Sequence, residues 1–89
     1  MATHVSTQQS ETTAAIREVV SQQNCLQADL VTLTDDSDLY AAGLTSLATV
    51  GLMLAIEDRF DIEFPERMLG RATFRSVATI VEAVSQLVN

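Results

Sequence analysis

Lysine and tryptophan are absent from these 89 residues, and cysteine, histidine, proline and tyrosine each occur once. A lone cysteine, Cys25, cannot close an internal disulfide. That excludes a small stapled scaffold and fits a reduced, cytoplasmic protein with Cys25 as a small core or half-buried residue. The lone histidine, His4, lies in the polar stretch "MATHVSTQQS" and reads as a solvated residue. No Ser/His/Asp arrangement is therefore available for nucleophilic catalysis, and the chain reads as a non-enzyme. The same stretch lacks the basic start and apolar core of a signal peptide, and no apolar run approaches the roughly 20 residues that span a bilayer. It is expected to be a flexible tail over 1–10, ahead of a single domain over 11–89.

The shortage of positive charge is as informative. Net charge is −7, and residues 35–66 hold eight acids and one base, while the remainder is balanced at four acids and four arginines. Nucleic acid would call for clustered Lys and Arg, so it is excluded as a partner, and a protein with a basic surface is the complement. The acids do not form a calcium loop. Counting from Asp36 puts Tyr40, Ala41 and Leu47 at positions five, six and twelve, where a ligand, a glycine and a glutamate are required.

What is present is helical patterning. Ala15, Ile16, Val19 and Val20 give one apolar stripe to a helix from about Glu11 to Gln23, with Asn24 as its stop. Val77, Ile80, Val81, Val84, Leu87 and Val88 do the same for a last helix over about 76–88, capped by Thr73 or Ser76. Between them a helix from about Ser46 to Phe60 turns Thr49, Leu52, Met53, Ile56 and Phe60 inward. A short helix from Pro65 to about Leu69 follows, ended by Gly70. The expected fold is all-α: a small four-helix bundle with three longer helices, one short helix and a long loop between the first two. In that loop Leu26, Leu30, Leu33 and Leu39 can anchor onto the helices. A loop of this length in a small domain is usually functional.

The middle helix carries more apolar surface than its share of the core needs. Leu47, Val50 and Leu54 form a second stripe flanked by Gly51, Glu57 and Asp58, which is either covered by the loop or left as a contact surface. Ser46 lies between the two stripes where the loop delivers the chain. On local pattern alone it is a helix cap.

The segment "DLYAAGLTSLATVGLMLAIEDRFDIEFPERM" resembles the attachment region of acyl carrier proteins. The resemblance rests on an ordered set: Asp38 and Leu39, then Gly43 and Leu44 ahead of Thr45, Ser46 and Leu47, then Val50, Leu52 and Met53, and finally "EDRFDIEFP" at 57–65. It implies a four-helix fold in which Ser46 carries a covalent 4′-phosphopantetheine arm derived from coenzyme A, with Thr45 and Leu47 beside it. A phosphopantetheinyl transferase would install the arm. Acyl-loading and acyl-transferring enzymes of fatty-acid, lipid or polyketide type would read Leu47, Val50, Leu54, Glu57 and Asp58 on a monomeric carrier. An aminoacyl or peptidyl carrier using the same serine is the second reading, and a helical interaction module without an arm the third.

The chain departs from the family pattern at three places. Thr45 stands where Asp is usual, and Gly51 where Glu is frequent. Arg67, Arg71 and Arg75 occupy a segment that is commonly acidic. These changes point to a specialised carrier.

Overall fold

The computed structural model of the chain describes the backbone of residues 2–88 and the side chains of residues 10–88. Helix α1 spans Ala2–Gln23, α2 spans Ser46–Phe60 and α3 spans Val77–Leu87, with single 3-10 turns at Leu30–Thr32 and Glu66–Met68. The described residues contain no strand, so the expected all-α class holds.

Two elements differ from the sequence reading, and a choice it left open at the head of α3 is resolved. Helix α1 starts at Ala2 and not near Glu11. The apolar stripe begins only at Ala15, but nothing ahead of it is Gly or Pro, so the helix continues past the residues that bury it. The side chains of 2–9, His4 among them, lie outside the described residues, as does the expected flexibility of that stretch. The short fourth helix is one 3-10 turn: Pro65 stands at its cap, and the bonds Met68 N to Pro65 O and Leu69 N to Glu66 O both span three residues. Ser76, not Thr73, caps α3: its hydroxyl accepts from Thr79 N while Thr79 Oγ1 accepts from Ser76 N, a reciprocal pair that lets Ser76 be fully buried.

The core is assembled from every segment. Ile16, Val19 and Val20 of α1 meet Leu52 and Ile56 of α2 and Val77, Ile80, Val81 and Val84 of α3. Leu39 and Leu44 enter from the first connection, Phe64, Met68 and Phe74 from the second, with the two phenylalanine rings edge to face at 5.4 Å. Of the five α2 residues expected to face inward, only Leu52 and Ile56 are fully buried, and Thr49, Met53 and Phe60 sit half-buried along the margin.

One side chain of α1 pins residues 30–35 of the long connection. Asn24, at φ 51°, turns the chain out of α1. Arg17 then reaches across from α1, donating to the carbonyls of Leu30 and Leu33 at 2.9 Å each and to Asp35 Oδ1 at 2.7 Å. The Asp35 carboxylate is half-exposed, so its ion pair contributes little, whereas removal of Arg17 would leave the Leu33 carbonyl without a partner among the described residues and the Leu30 carbonyl with only the bond from Leu33 N. Arg17→Ala is therefore expected to cost about 1–3 kcal/mol, and Asp35→Asn under about 1 kcal/mol. Thermal melts compared side by side check the order: Arg17→Ala should lower Tm by roughly 5–15 °C. Equal shifts would show that the carbonyl bonds contribute nothing.

Candidate functional site

Thr45 and Ser46 divide two tasks that the sequence allowed to fall on Ser46. Thr45 holds an extended backbone, and its Oγ1 accepts from Ala48 N at 3.0 Å, so Thr45 is the N-cap of α2. Ser46 is the first helical residue. Its capping role is thus corrected: Ser46 is exposed, and its hydroxyl makes no hydrogen bond among the described residues. With Ala48 N bonded to Thr45 Oγ1 and Thr49 N to Thr45 O, the amides of Ser46 and Leu47 remain unpartnered within the described structure. A negative group on Ser46 would meet two free amides at the positive end of a helix, and a neutral threonine as the adjacent cap in place of a carboxylate.

The approach to Ser46 is set by a glycine. Gly43 has φ 114°, a backbone few other residues adopt, and a Cβ built there would stand 2.7 Å from Gln27 N. Its neighbour's carbonyl, Ala42 O, accepts from both Gln27 N and Ala28 N, tying the end of the loop to its beginning. Leu44 N donates to Leu39 O, and Leu39 and Leu44 are buried, so the peptide that delivers Thr45 is fixed on both sides.

Ser46 borders a groove of about 380 Å³ between α2 and the segment ahead of α3, whose other walls include Tyr40, Val50, Met53, Leu69 and Phe74. Arg71 stands at the same groove with its guanidinium 3.9 Å from the centre of the Tyr40 ring. Neither Tyr40 nor Arg71 was singled out for this place by the sequence; aromatic and cation are thirty-one positions apart with no shared periodicity.

On the outer side of α2, Leu47, Val50 and Leu54 are 85, 51 and 55 % exposed, so the second apolar stripe is a surface and the loop does not cover it. The acids beside it are unequal. Asp58 is exposed, but Glu57 is half-buried and its Oε2 accepts from Phe64 N at 2.9 Å, holding the turn after Asp61. Arg59, the next residue of the helix, pairs with Glu18 of α1. Cys25 is half-buried near the far end of the loop, and burial pushes its thiol up from the usual range, so at neutral pH it stays protonated and weakly nucleophilic. The described residues contain no cluster of His, Cys, Asp or Glu arranged to hold a metal ion, and no helix long and apolar enough to cross a membrane.

Residues 14–84 match the family model described as "Phosphopantetheine attachment site". The chain belongs to that family. It is a carrier protein whose fold bears a covalent 4′-phosphopantetheine group. The carrier is 45 % identical over 76 residues to the aminoacyl carrier protein of Agrobacterium fabrum, covering 85 % of this chain and 92 % of that one. It is 44 % identical over 55 residues to the D-alanyl carrier protein of Streptococcus sanguinis, covering 61 % and 70 % of the two. Among solved structures it resembles the carrier protein from Agrobacterium tumefaciens complexed with ATP and an engineered Bradyrhizobium japonicum glycine:[carrier protein] ligase. There the TM-score is 0.80 and the identity 45 %, over 84 % of this chain and 97 % of the other. The residues at the head of α2 fit the group: an unbonded serine hydroxyl, two unpartnered amides and an adjoining groove.

Proposed function

We propose that Ser46 bears the phosphopantetheine arm and that the cargo is an amino acid. The observation that carries the attachment is the exposed, unbonded Ser46 hydroxyl at the first turn of a helix already capped by Thr45. When bound, the group supplies a terminal thiol that can hold a carboxylic acid as a thioester. The chain's own part is positional. Ser46 gives up its hydroxyl proton to a base on the partner transferase, since none stands beside it among the described residues, as its oxygen bonds to the pantetheine-side phosphorus of coenzyme A and the pyrophosphate linkage breaks, releasing adenosine 3′,5′-bisphosphate. The α2 amides receive the charge, and the fixed backbone at Gly43 and Leu44 presents the oxygen at the surface. No catalytic step is assigned to this chain, and Cys25, protonated and remote, does not compete for cargo. The reading extends to a reduced, cytoplasmic setting and a monomer.

Amino acid cargo is supported by the names of the relatives, an aminoacyl and a D-alanyl carrier, and by the ligase bound to the solved carrier. Fatty-acid cargo, the other reading of the resemblance, is not what these relatives are named for. Intact-protein mass spectrometry on the chain recovered from its native cell tests both parts at once. Arm plus aminoacyl mass is expected. Arm plus a fatty-acyl mass would overturn the cargo, and no arm at all would leave a helical interaction module.

Partners are proposed to dock on Leu47, Val50 and Leu54, with Asp58 attracting a basic surface to the rim. Glu57 serves the turn first, through Phe64 N, so a charge reversal there would disturb the fold as well as the docking face. Asp58→Arg is the cleaner probe. It is expected to slow association with a loading ligase or the transferase by about 3- to 10-fold at low salt, with the difference fading as ionic strength rises. Stopped-flow association rates indifferent to both the reversal and the salt would place recognition away from α2.

A further inference from the structure

The arginines of this chain are not equivalent. Arg17 is tied to Asp35 and two carbonyls, and Arg59 to Glu18. Arg71 has no carboxylate partner among the described residues. Its guanidinium lies over the Tyr40 ring, and among the described residues it is the only charged one lining the groove on which Ser46 opens.

That placement is held from behind. Tyr40 N donates to Asp38 Oδ1 at 2.9 Å, and its neighbour Leu39 is fully buried with its amide on Arg75 O, so the backbone that carries the ring is fixed and the half-buried ring packs against the core. A guanidinium that uses its face on an aromatic ring keeps its in-plane N–H groups for other acceptors. Holding it there in advance removes part of the ordering cost of binding. The groove volume of about 380 Å³ lies at the small end of the range of ligand sites.

We propose that Arg71 is a positioning residue for the phosphodiester on Ser46. A phosphate fixed to Ser46 Oγ adds negative charge beside a segment that already carries the protein's whole excess of it, and Arg71 is the cation that borders the same groove. Its fork and the free amides of Ser46 and Leu47 take the phosphate oxygens from two sides. The arm then leaves along the wall formed by Val50 and Met53, and does not swing freely from the helix end. This rests on Ser46 as the attachment point and adds a direction to it. It also gives the arginine that departs from the acidic family pattern a task at the site.

The test uses the full chain as parent, Arg71→Gln and Arg71→Lys, each treated with a transferase and coenzyme A and weighed. In the loaded parent, the Arg71 Nε–H resonance should shift relative to the unloaded parent, and the shift should collapse in about 1 M salt, where charges are screened beyond about 3 Å. The phosphodiester ³¹P resonance should differ between parent and Arg71→Gln at low salt, converge at high salt, and lie between the two in Arg71→Lys, which keeps the charge and loses the fork. Unloaded forms with matching amide spectra away from Tyr40 separate this from a change in folding. If parent and Arg71→Gln both gain the mass of the arm and show the same ³¹P resonance at every salt, with Arg71 Nε–H unmoved by loading, the inference is overturned while the attachment stands. If the parent gains no mass, the attachment reading falls and this inference with it.

Discussion

Ser46→Ala is expected to take up no phosphopantetheine at all while melting within about 0.5 kcal/mol of the parent. The two halves of that result have different causes. Loading fails completely because the substitution deletes the oxygen that forms the phosphoester bond, and no neighbouring side chain substitutes for it: Thr45 Oγ1 is engaged with Ala48 N, and Thr49 Oγ1 donates to Thr45 O at 2.7 Å. Stability barely changes because the cap belongs to Thr45. Alanine is at least as good as serine at a first helical position, and the Ser46 hydroxyl makes no bond to lose. Thr45→Ala should invert the pattern, destabilising by about 1 kcal/mol through the lost cap while still being loaded. Incubating the three proteins with a transferase, coenzyme A and Mg²⁺, weighing them and melting them is the measurement. A loaded Ser46→Ala, or a Ser46→Ala as unstable as Thr45→Ala, would contradict the division of labour at the head of α2.

Gly43→Ala should be the most damaging small substitution in the loop, at roughly 2–4 kcal/mol. The backbone at φ 114° disfavours any side chain, and the added Cβ would lie 2.7–2.9 Å from Gln27 N, Cγ and Cβ. The Gln27 side chain can swing away. Its backbone nitrogen cannot, because Gln27 N donates to Ala42 O at 2.9 Å, so relief of the clash breaks the link between the two ends of the loop. Leu44, buried one residue later, would shift with it, and the loss should be felt at Ser46 as slower loading even where the protein stays folded. Denaturant unfolding together with transferase kinetics tests both consequences. Gly70→Ala is the control, since a Cβ at Gly70 meets nothing within 4 Å.

What could be read from the sequence follows from how local each signal is. Helix α2 has the bounds its pattern gives, Ser46–Phe60, because a cap-forming pair, an apolar run and a chain reversal after Phe60 are all written within a few residues. Its exposed outer stripe was legible for the same reason: Leu47, Val50 and Leu54 exceed what one face of a small bundle can bury. Resolving which of Thr45 and Ser46 caps the helix was beyond the pattern, since both residue types suit the position and only the phase of the backbone decides. Arg17, Glu57 and Arg71 act through partners far from them in the chain or across a turn, at Leu33, Phe64 and Tyr40, and such pairings leave no periodic trace. Arginine at 71 was visible only as a departure from an acidic pattern.

The two walls facing α2 across the groove are held by different kinds of bond. On the Tyr40 side, Leu39 N reaches Arg75 O at 2.6 Å and Ala78 N reaches Asp35 O at 2.8 Å, main-chain bonds that stitch the loop to the head of α3. On the Leu69 side, the amide bonds of Met68, Leu69 and Thr73 all return to carbonyls three residues back, and the stretch is held to the rest of the fold by side chains: the Phe64 and Phe74 rings, Met68, Arg71 on Tyr40 and the bond that Thr79 Oγ1 donates to Thr73 O. Native-state hydrogen exchange should therefore be lopsided, with the Leu39 and Ala78 amides exchanging near the global limit and those of Leu69 and Thr73 exchanging through local opening. Any widening of the space beside Ser46 comes from the 65–73 side, hinged on two aromatic rings, while the strand of loop bearing Tyr40 stays in place.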